Sequence, residues 1–145
     1  LLRNGLAFQK VIELFSERYR GKSVSAVAGI ESRGFIFAAA LALRLGCGFV
    51  PIRKRGKLPG RTLRQSYDLE YGQDTIEIHQ DALSKGDSVV LVDDVVATGG
   101  TLNAAHQLIL QTNADLLEAC ALVELKALAG RQKCPSLALH CLLEF

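Results

Sequence analysis

The chain has 145 residues, of which 49% are apolar and 22% charged, and a formal net charge of +2. That balance describes one globular domain with a real core. A nearly neutral chain is not a general nucleic-acid binder, so any basic feature has to be local; no apolar run reaches the roughly 18 residues of a membrane helix, and no signal peptide is recognisable.

Phe8, Val11, Ile12, Phe15 and Tyr19 recur at helical spacing, with Asn4 placed to cap the start and Gly21 to stop the run. VSAVAGI (24–30) is short, apolar and β-branched, the pattern of a buried strand. GFIFAAALALRLG (34–46) is rich in Ala and Leu and closes on Gly46, which predicts a second helix. FVPIRK (49–54) completes a strand–helix–strand unit and with it a parallel sheet. RKRGKLPGRTLRQ (53–65) is strongly basic without apolar periodicity and predicts a mobile loop. SYDLEYG (66–72) and TIEIH (75–79) flank a turn predicted at Gly72–Asp74, a hairpin. SVVLVDD (88–94) is the strongest strand. A helix follows over 101–112, then strands at 116–125 and 137–145. The expected fold is α/β: a Rossmann-like parallel sheet flanked by helices, with a flexible loop and a hairpin, in a single domain over 1–145.

Cys47, Cys120, Cys134 and Cys141 fit neither a zinc site nor a CxxC pair and are expected to be free thiols in a reducing, cytoplasmic setting. His79, His106 and His140 have no ligand partner at helical spacing. The chain contains no methionine and opens on LLRNG, so an N-terminal segment is expected to be missing from it.

LVDDVVATGGT (91–101) sets two acids at the carboxyl end of a parallel strand, where open α/β sheets bind ligands. The small residues Ala97 to Thr101 precede a helix N-terminus, whose unpaired N–H groups and dipole attract an anion. Glycine lets the backbone approach that anion, and Thr98 and Thr101 add hydroxyls. GxxxxGK[ST] is absent, so this is not a Walker loop. Asp93 and Asp94 repel each other unless donors or a cation lie beside them. Sugar hydroxyls or a magnesium ion would serve, so acids followed by a phosphate cradle suit a ribose 5-phosphate. The plainer reading of the same stretch is a tight strand–helix turn with solvated acids.

VVLVDDVVATGGTL (89–102) resembles the signature of the type I phosphoribosyltransferases. GIESRGFIFAAALA (29–42), PIRKRGKLPG (51–60), SYDLEYG (66–72) and LVELKALAGR (122–131) are similar, in order, to the motifs of the adenine-using members. The resemblance covers nearly the whole chain. It implies transfer of a phosphoribosyl group from phosphoribosyl pyrophosphate to adenine, with Mg2+ as cofactor and a homodimer as the assembly. It also implies roles: Ala97, Thr98, Gly99, Gly100 and Thr101 on the 5-phosphate, Asp93 and Asp94 on the ribose hydroxyls, Ser32, Arg33 and Gly34 on pyrophosphate. Lys54 and Lys57 belong to a segment that closes over the pyrophosphate, Glu70 is the matched catalytic acid with Tyr71 beside it, and Leu122 to Leu125 lie near the base. The family's base-covering hood includes a segment before the first helix, which is the segment expected to be missing here.

The residue chemistry agrees. Arg33 is a planar bidentate donor, and Lys54, Arg55 and Lys57 add positive charge where a departing pyrophosphate accumulates negative charge. Without the resemblance, RKRGK reads as a solvated or nucleic-acid-facing loop and Glu70 as the solvent side of a hairpin. Two alternatives stay open: another base such as hypoxanthine, xanthine or orotate, or a non-catalytic sensor of phosphoribosyl pyrophosphate that binds DNA.

Overall fold

The computed structural model describes residues 1–145. Helix α1 (Gly5–Arg18) starts on Asn4, whose side chain accepts a hydrogen bond from the Ala7 amide at 3.0 Å, as its cap position requires. Strand β1 (Ala26–Ile30), helix α2 (Gly34–Leu45) and strand β2 (Gly48–Lys54) form the expected crossover, and Gly46 ends α2 in the left-handed region at φ 71°. A hairpin follows, β3 (Thr62–Asp68) and β4 (Gln73–His79). Then come β5 (Ser88–Val96), helix α3 (Gly100–Leu110), β6 (Asp115–Glu124), short 3₁₀ turns at Lys126–Leu128 and Gly130–Lys133, and β7 (Leu139–Glu144).

The seven strands form one sheet in the order β3-β4-β2-β1-β5-β6-β7. From β2 to β7 neighbours run parallel, and the hairpin joins the β2 edge antiparallel. Side chains alternate between two cores, as the two-residue period of a doubly covered sheet dictates. Val27, Val90 and Val92 pack under α1 and α2, whereas Ala28, Ile30, Val89 and Leu91 pack under α3.

Three sequence expectations need correction. Thr62–Gln65 were expected in the basic loop but are strand: the half-buried face of β3 carries Leu63, Gln65 and Tyr67, and polar Gln65 interrupts the apolar alternation that would have betrayed it. The remaining loop is not left loose, because the amides of Gly56 and Leu58 each donate at 3.0 Å to buried Glu77. The hairpin turn falls at Leu69–Gly72, closed by the Leu69 amide on the Gly72 carbonyl, and not at Gly72–Asp74; Gly72, at φ 84°, supplies the left-handed residue one step earlier.

Candidate active site

β1 feeds α2 on one side of the sheet while β5 feeds α3 on the other, and the two strands are neighbours. A crevice opens at such a switch point. Pairing of β1 to β5 ends at Gly29–Val92, yet β5 continues along β6 to Val96. Asp93 and Asp94 therefore lie within the strand rather than at its tip, facing the gap left where β1 turns away. Gly34 makes this possible: a Cβ there would sit 2.9 Å from Asp93 Oδ1 and 3.0 Å from the Val92 carbonyl. Any larger residue would push α2 off β5.

Glu31, Ser32, Arg33, Asp93, Asp94, Ala97 and Thr101 line a cavity of about 510 Å3. The Glu31–Ser32 peptide is cis. Arg33 Nε lies 2.6 Å from Asp94 Oδ2, so the arginine spans the mouth of the crevice. Asp93 Oδ1 accepts from the Asp94 amide at 2.9 Å. Burial, with the Asp94 charge added, pushes the Asp93 carboxyl up to about 7, although that amide and Arg33 pull the other way.

A smaller cavity of about 80 Å3 is lined by Asp93 and Val95 through Leu102. Here α3 begins on Gly99 at φ 80°, with no side chain capping it. The first-turn amides are thus left for an anion. The loop is seated on backbone: a Cβ on Gly99 would come 2.2 Å from the Gly130 carbonyl oxygen, and one on Gly130 would come 2.3 Å from that of Ala97. Gly130 is held in turn by its neighbour. Arg131 Nε is 2.9 Å from both oxygens of buried Glu124, and its Nη1 donates to the Leu139 carbonyl at 2.7 Å. Cys134 Sγ donates to the Gly99 carbonyl at 3.6 Å.

Ser32, Arg33, Asp93, Asp94 and the run Ala97, Thr98, Gly99, Gly100 and Thr101 are brought together on these two adjoining cavities, with Gly34 against Asp93. Glu70, Tyr71, Lys54 and Lys57 line neither. Glu70 and Tyr71 occupy the hairpin turn, and Tyr71 is 86% exposed. Lys54 Nζ lies 3.2 Å from Asp74, which also accepts from Tyr67 at 3.4 Å. The Tyr67 ring lies beside Gly100, its Cδ2 3.5 Å from where a Cβ there would sit. Leu122 and Leu125 are half-buried at the carboxyl end of β6. Sequence reasoning missed the brace beneath the cradle. Gly130 and Arg131 stood inside a recognised motif, but their partners, Gly99 and Glu124, are set by the fold. Arg131→Ala would leave the Glu124 carboxylate buried and unpaired. It is expected to cost about 2 kcal/mol, below the usual figure for a buried pair because Arg131 is partly exposed, with a fall in Tm of about 4–8 °C by calorimetry.

A switch-point crevice with paired carboxylates beside an uncapped helix start defines a binder of a phosphorylated sugar, and the comparisons give that class its family. The phosphoribosyl transferase domain family matches residues 1–137, and the chain belongs to it. Over all 145 residues it is 50% identical to the adenine phosphoribosyltransferase of Roseiflexus castenholzii, spanning 84% of that protein. The crystal structure of adenine phosphoribosyltransferase from Thermoanaerobacter pseudethanolicus superposes with a TM-score of 0.95 at 44% identity, covering 99% of this chain and 84% of that one. The Saccharomyces cerevisiae enzyme, solved in complex with adenine and an imino-altritol bisphosphate, superposes at 0.89 with 43% identity, covering 98% of this chain and 81% of that one.

The family's magnesium can be tested against the donors present. Asp93 and Asp94 offer hard carboxylate oxygens on one cavity, which suits magnesium. No three acidic, His or Cys side chains cluster into a protein cage, and magnesium normally completes its shell with water and substrate oxygens. The residues fit a metal that arrives largely on its substrate.

Proposed function

We propose that this chain transfers the 5-phosphoribosyl group of phosphoribosyl pyrophosphate to adenine, giving AMP and pyrophosphate, a purine-salvage reaction. The observation that carries the reading is the uncapped start of α3 opening into the small cradle beside Asp93 and Asp94. The choice of adenine rests on the relatives, which bear that name at about half identity across the whole chain.

The amides and hydroxyls of Ala97–Thr101 take the 5-phosphate, and Asp93 and Asp94 accept from the ribose hydroxyls. The C1–oxygen bond to pyrophosphate breaks, the base nitrogen bonds to C1, and that nitrogen gives up its proton. Charge grows on the leaving pyrophosphate, so Ser32, Arg33 and the Gly34 turn grip it more strongly as the bond breaks. Arg33 exchanges Asp94 for a phosphate oxygen in doing so. Lys54 and Lys57 approach the same charge from the basic segment. Magnesium, held by Asp93 and Asp94 together with substrate oxygens, would neutralise part of the pyrophosphate charge. Glu70, with Tyr71 beside it, serves the base nitrogen from the hairpin turn. A closed hairpin also excludes water, which would hydrolyse the activated sugar.

The protein is read as a cytoplasmic homodimer. No helix is long and apolar enough to cross a membrane. Phe8, Ile12, Ala40 and exposed Leu43 line a groove of about 490 Å3 between α1 and α2, an apolar face for a second copy.

Pyrophosphate release from phosphoribosyl pyrophosphate and magnesium, with adenine, hypoxanthine, guanine and xanthine in turn, tests the reading. Release with adenine alone is expected. Release with an oxopurine instead would keep the fold and change the substrate; release with none, alongside tight phosphoribosyl pyrophosphate binding, would indicate a sensor. Glu70→Ala is expected to lower kcat by about 10²–10⁴-fold while leaving phosphoribosyl pyrophosphate affinity nearly unchanged.

A further inference from the structure

Glu77, on β4, is a fully buried carboxylate in a strand that otherwise buries Ile76 and Ile78. Each of its hydrogen-bond partners lies between residues 56 and 64. Oε1 accepts from the amides of Gly56 and Leu58, both at 3.0 Å. Oε2 accepts from Thr62 Oγ1 at 3.4 Å and Arg64 Nε at 3.3 Å. Burial opposes the charge, but the Leu58 and Gly56 amides and the Arg64 guanidinium outweigh it and hold the carboxyl below the usual range.

One oxygen therefore pins the backbone on both sides of Lys57. The Lys57 carbonyl is held as well, accepting from Arg53 Nη1 at 3.2 Å. Arg53 in turn pairs with Glu31 at 3.2 Å, and Glu31 takes the Lys54 amide at 2.9 Å, which ties the basic segment to the turn that carries Ser32 and Arg33. The Lys57 side chain is exposed and forms no ion pair. The backbone beneath it is fixed and the cation is left free.

We propose that Glu77 is a positioning residue for phosphoribosyl transfer, holding the backbone at Gly56 and Leu58 so that Lys57 is presented, pre-arranged, to the pyrophosphate. A cation already in place loses less freedom on binding and acts more strongly on the developing charge. The inference rests on the reading of the site given above.

Two conservative variants separate this role from plain stabilisation. Glu77→Gln keeps an oxygen at full reach for both amides but loses the charge facing Arg64. Glu77→Asp keeps the charge but is one methylene short of the amides. If Glu77 positions Lys57, Glu77→Asp raises the KM for phosphoribosyl pyrophosphate, and for pyrophosphate in the reverse reaction, about 10-fold, and Glu77→Gln by less than about 3-fold. AMP has no pyrophosphate, so its affinity by calorimetry stays within about 2-fold in both. Lys57→Ala, which weakens pyrophosphate binding in the parent, adds little on top of Glu77→Asp. Overturning results are a milder effect for Asp than for Gln, a loss of AMP affinity equal to that for phosphoribosyl pyrophosphate, additive effects with Lys57→Ala, or parent-like kinetics in both variants. If the parent protein turns over no purine, the site reading fails and the role of Glu77 falls with it. An active parent with unaffected variants sinks this inference alone.

Discussion

Gly99→Ala is expected to raise the KM for phosphoribosyl pyrophosphate at least about 100-fold and to destabilise the protein by about 3 kcal/mol or more, a Tm loss of about 6 °C or more. Two costs combine. Gly99 sits at φ 80°, where an L side chain costs about 1–2 kcal/mol. Its new Cβ would also lie 2.2 Å from the Gly130 carbonyl oxygen, and that neighbour is backbone, braced by Arg131 on Glu124. Relief has to come from the cradle, whose amides then leave the 5-phosphate. AMP affinity falls with phosphoribosyl pyrophosphate affinity, because both carry that phosphate, which distinguishes this variant from those at Glu77. Gly86→Ala is the control: it has φ 86° but open space around the added carbon. It is expected to lose about 1–2 kcal/mol and no activity. Equal KM values for the two variants would remove the cradle from the mechanism.

Asp93→Asn is expected to move stability and activity in opposite directions. In the folded, ligand-free protein burial raises Asp93 from 3.8 to about 7, so the folded state keeps this proton over a range in which the unfolded chain has released it. Stability therefore falls as pH rises from about 4 to about 7, and above that the full penalty persists. Asparagine carries no charge and retains an oxygen for the Asp94 amide. At pH 8 the variant should be more stable than the parent by about 1–2 kcal/mol, less than the whole shift implies because the crevice is open to water, and near pH 4 the gain should vanish. Turnover should fall about 100-fold or more, since a charged acceptor for a ribose hydroxyl is lost. Melting curves from pH 4 to 8 beside rates at pH 8 test both halves. A variant less stable than the parent at pH 8 would show that the buried carboxylate is not under strain. Natural sites hold such groups because substrate binding uses what folding disfavours.

Much of this was legible in one dimension, for a definite reason. The buried strands Ala26–Ile30 and Ser88–Val96 and the helix Gly34–Leu45 announce themselves because their apolar periods and their end residues are local properties. The cradle is local too: a strand, two acids, small residues and a helix start lie within LVDDVVATGGT. By itself the amino-acid order determined the α/β alternation, the place of the anion loop and the acids beside it. The first half of β3, Thr62–Gln65, was placed in the loop because polar Gln65 stands between Leu63 and Tyr67 on its half-buried face and breaks the apolar alternation, and the hairpin turn was misplaced because either of two neighbouring stretches could have closed it.

What only the tertiary structure decided are the pairings between distant segments. Glu77 reads in sequence like any acid on a solvent-facing strand; it becomes an anchor when the basic segment folds its amides onto it. Gly130 has no visible task until the loop at Gly99 is laid across it, and Arg131 none until β6 delivers Glu124 beneath it. Burial and hydrogen bonding depend on which chain segments meet, and a contact between residues far apart in sequence leaves no periodic trace in either of them.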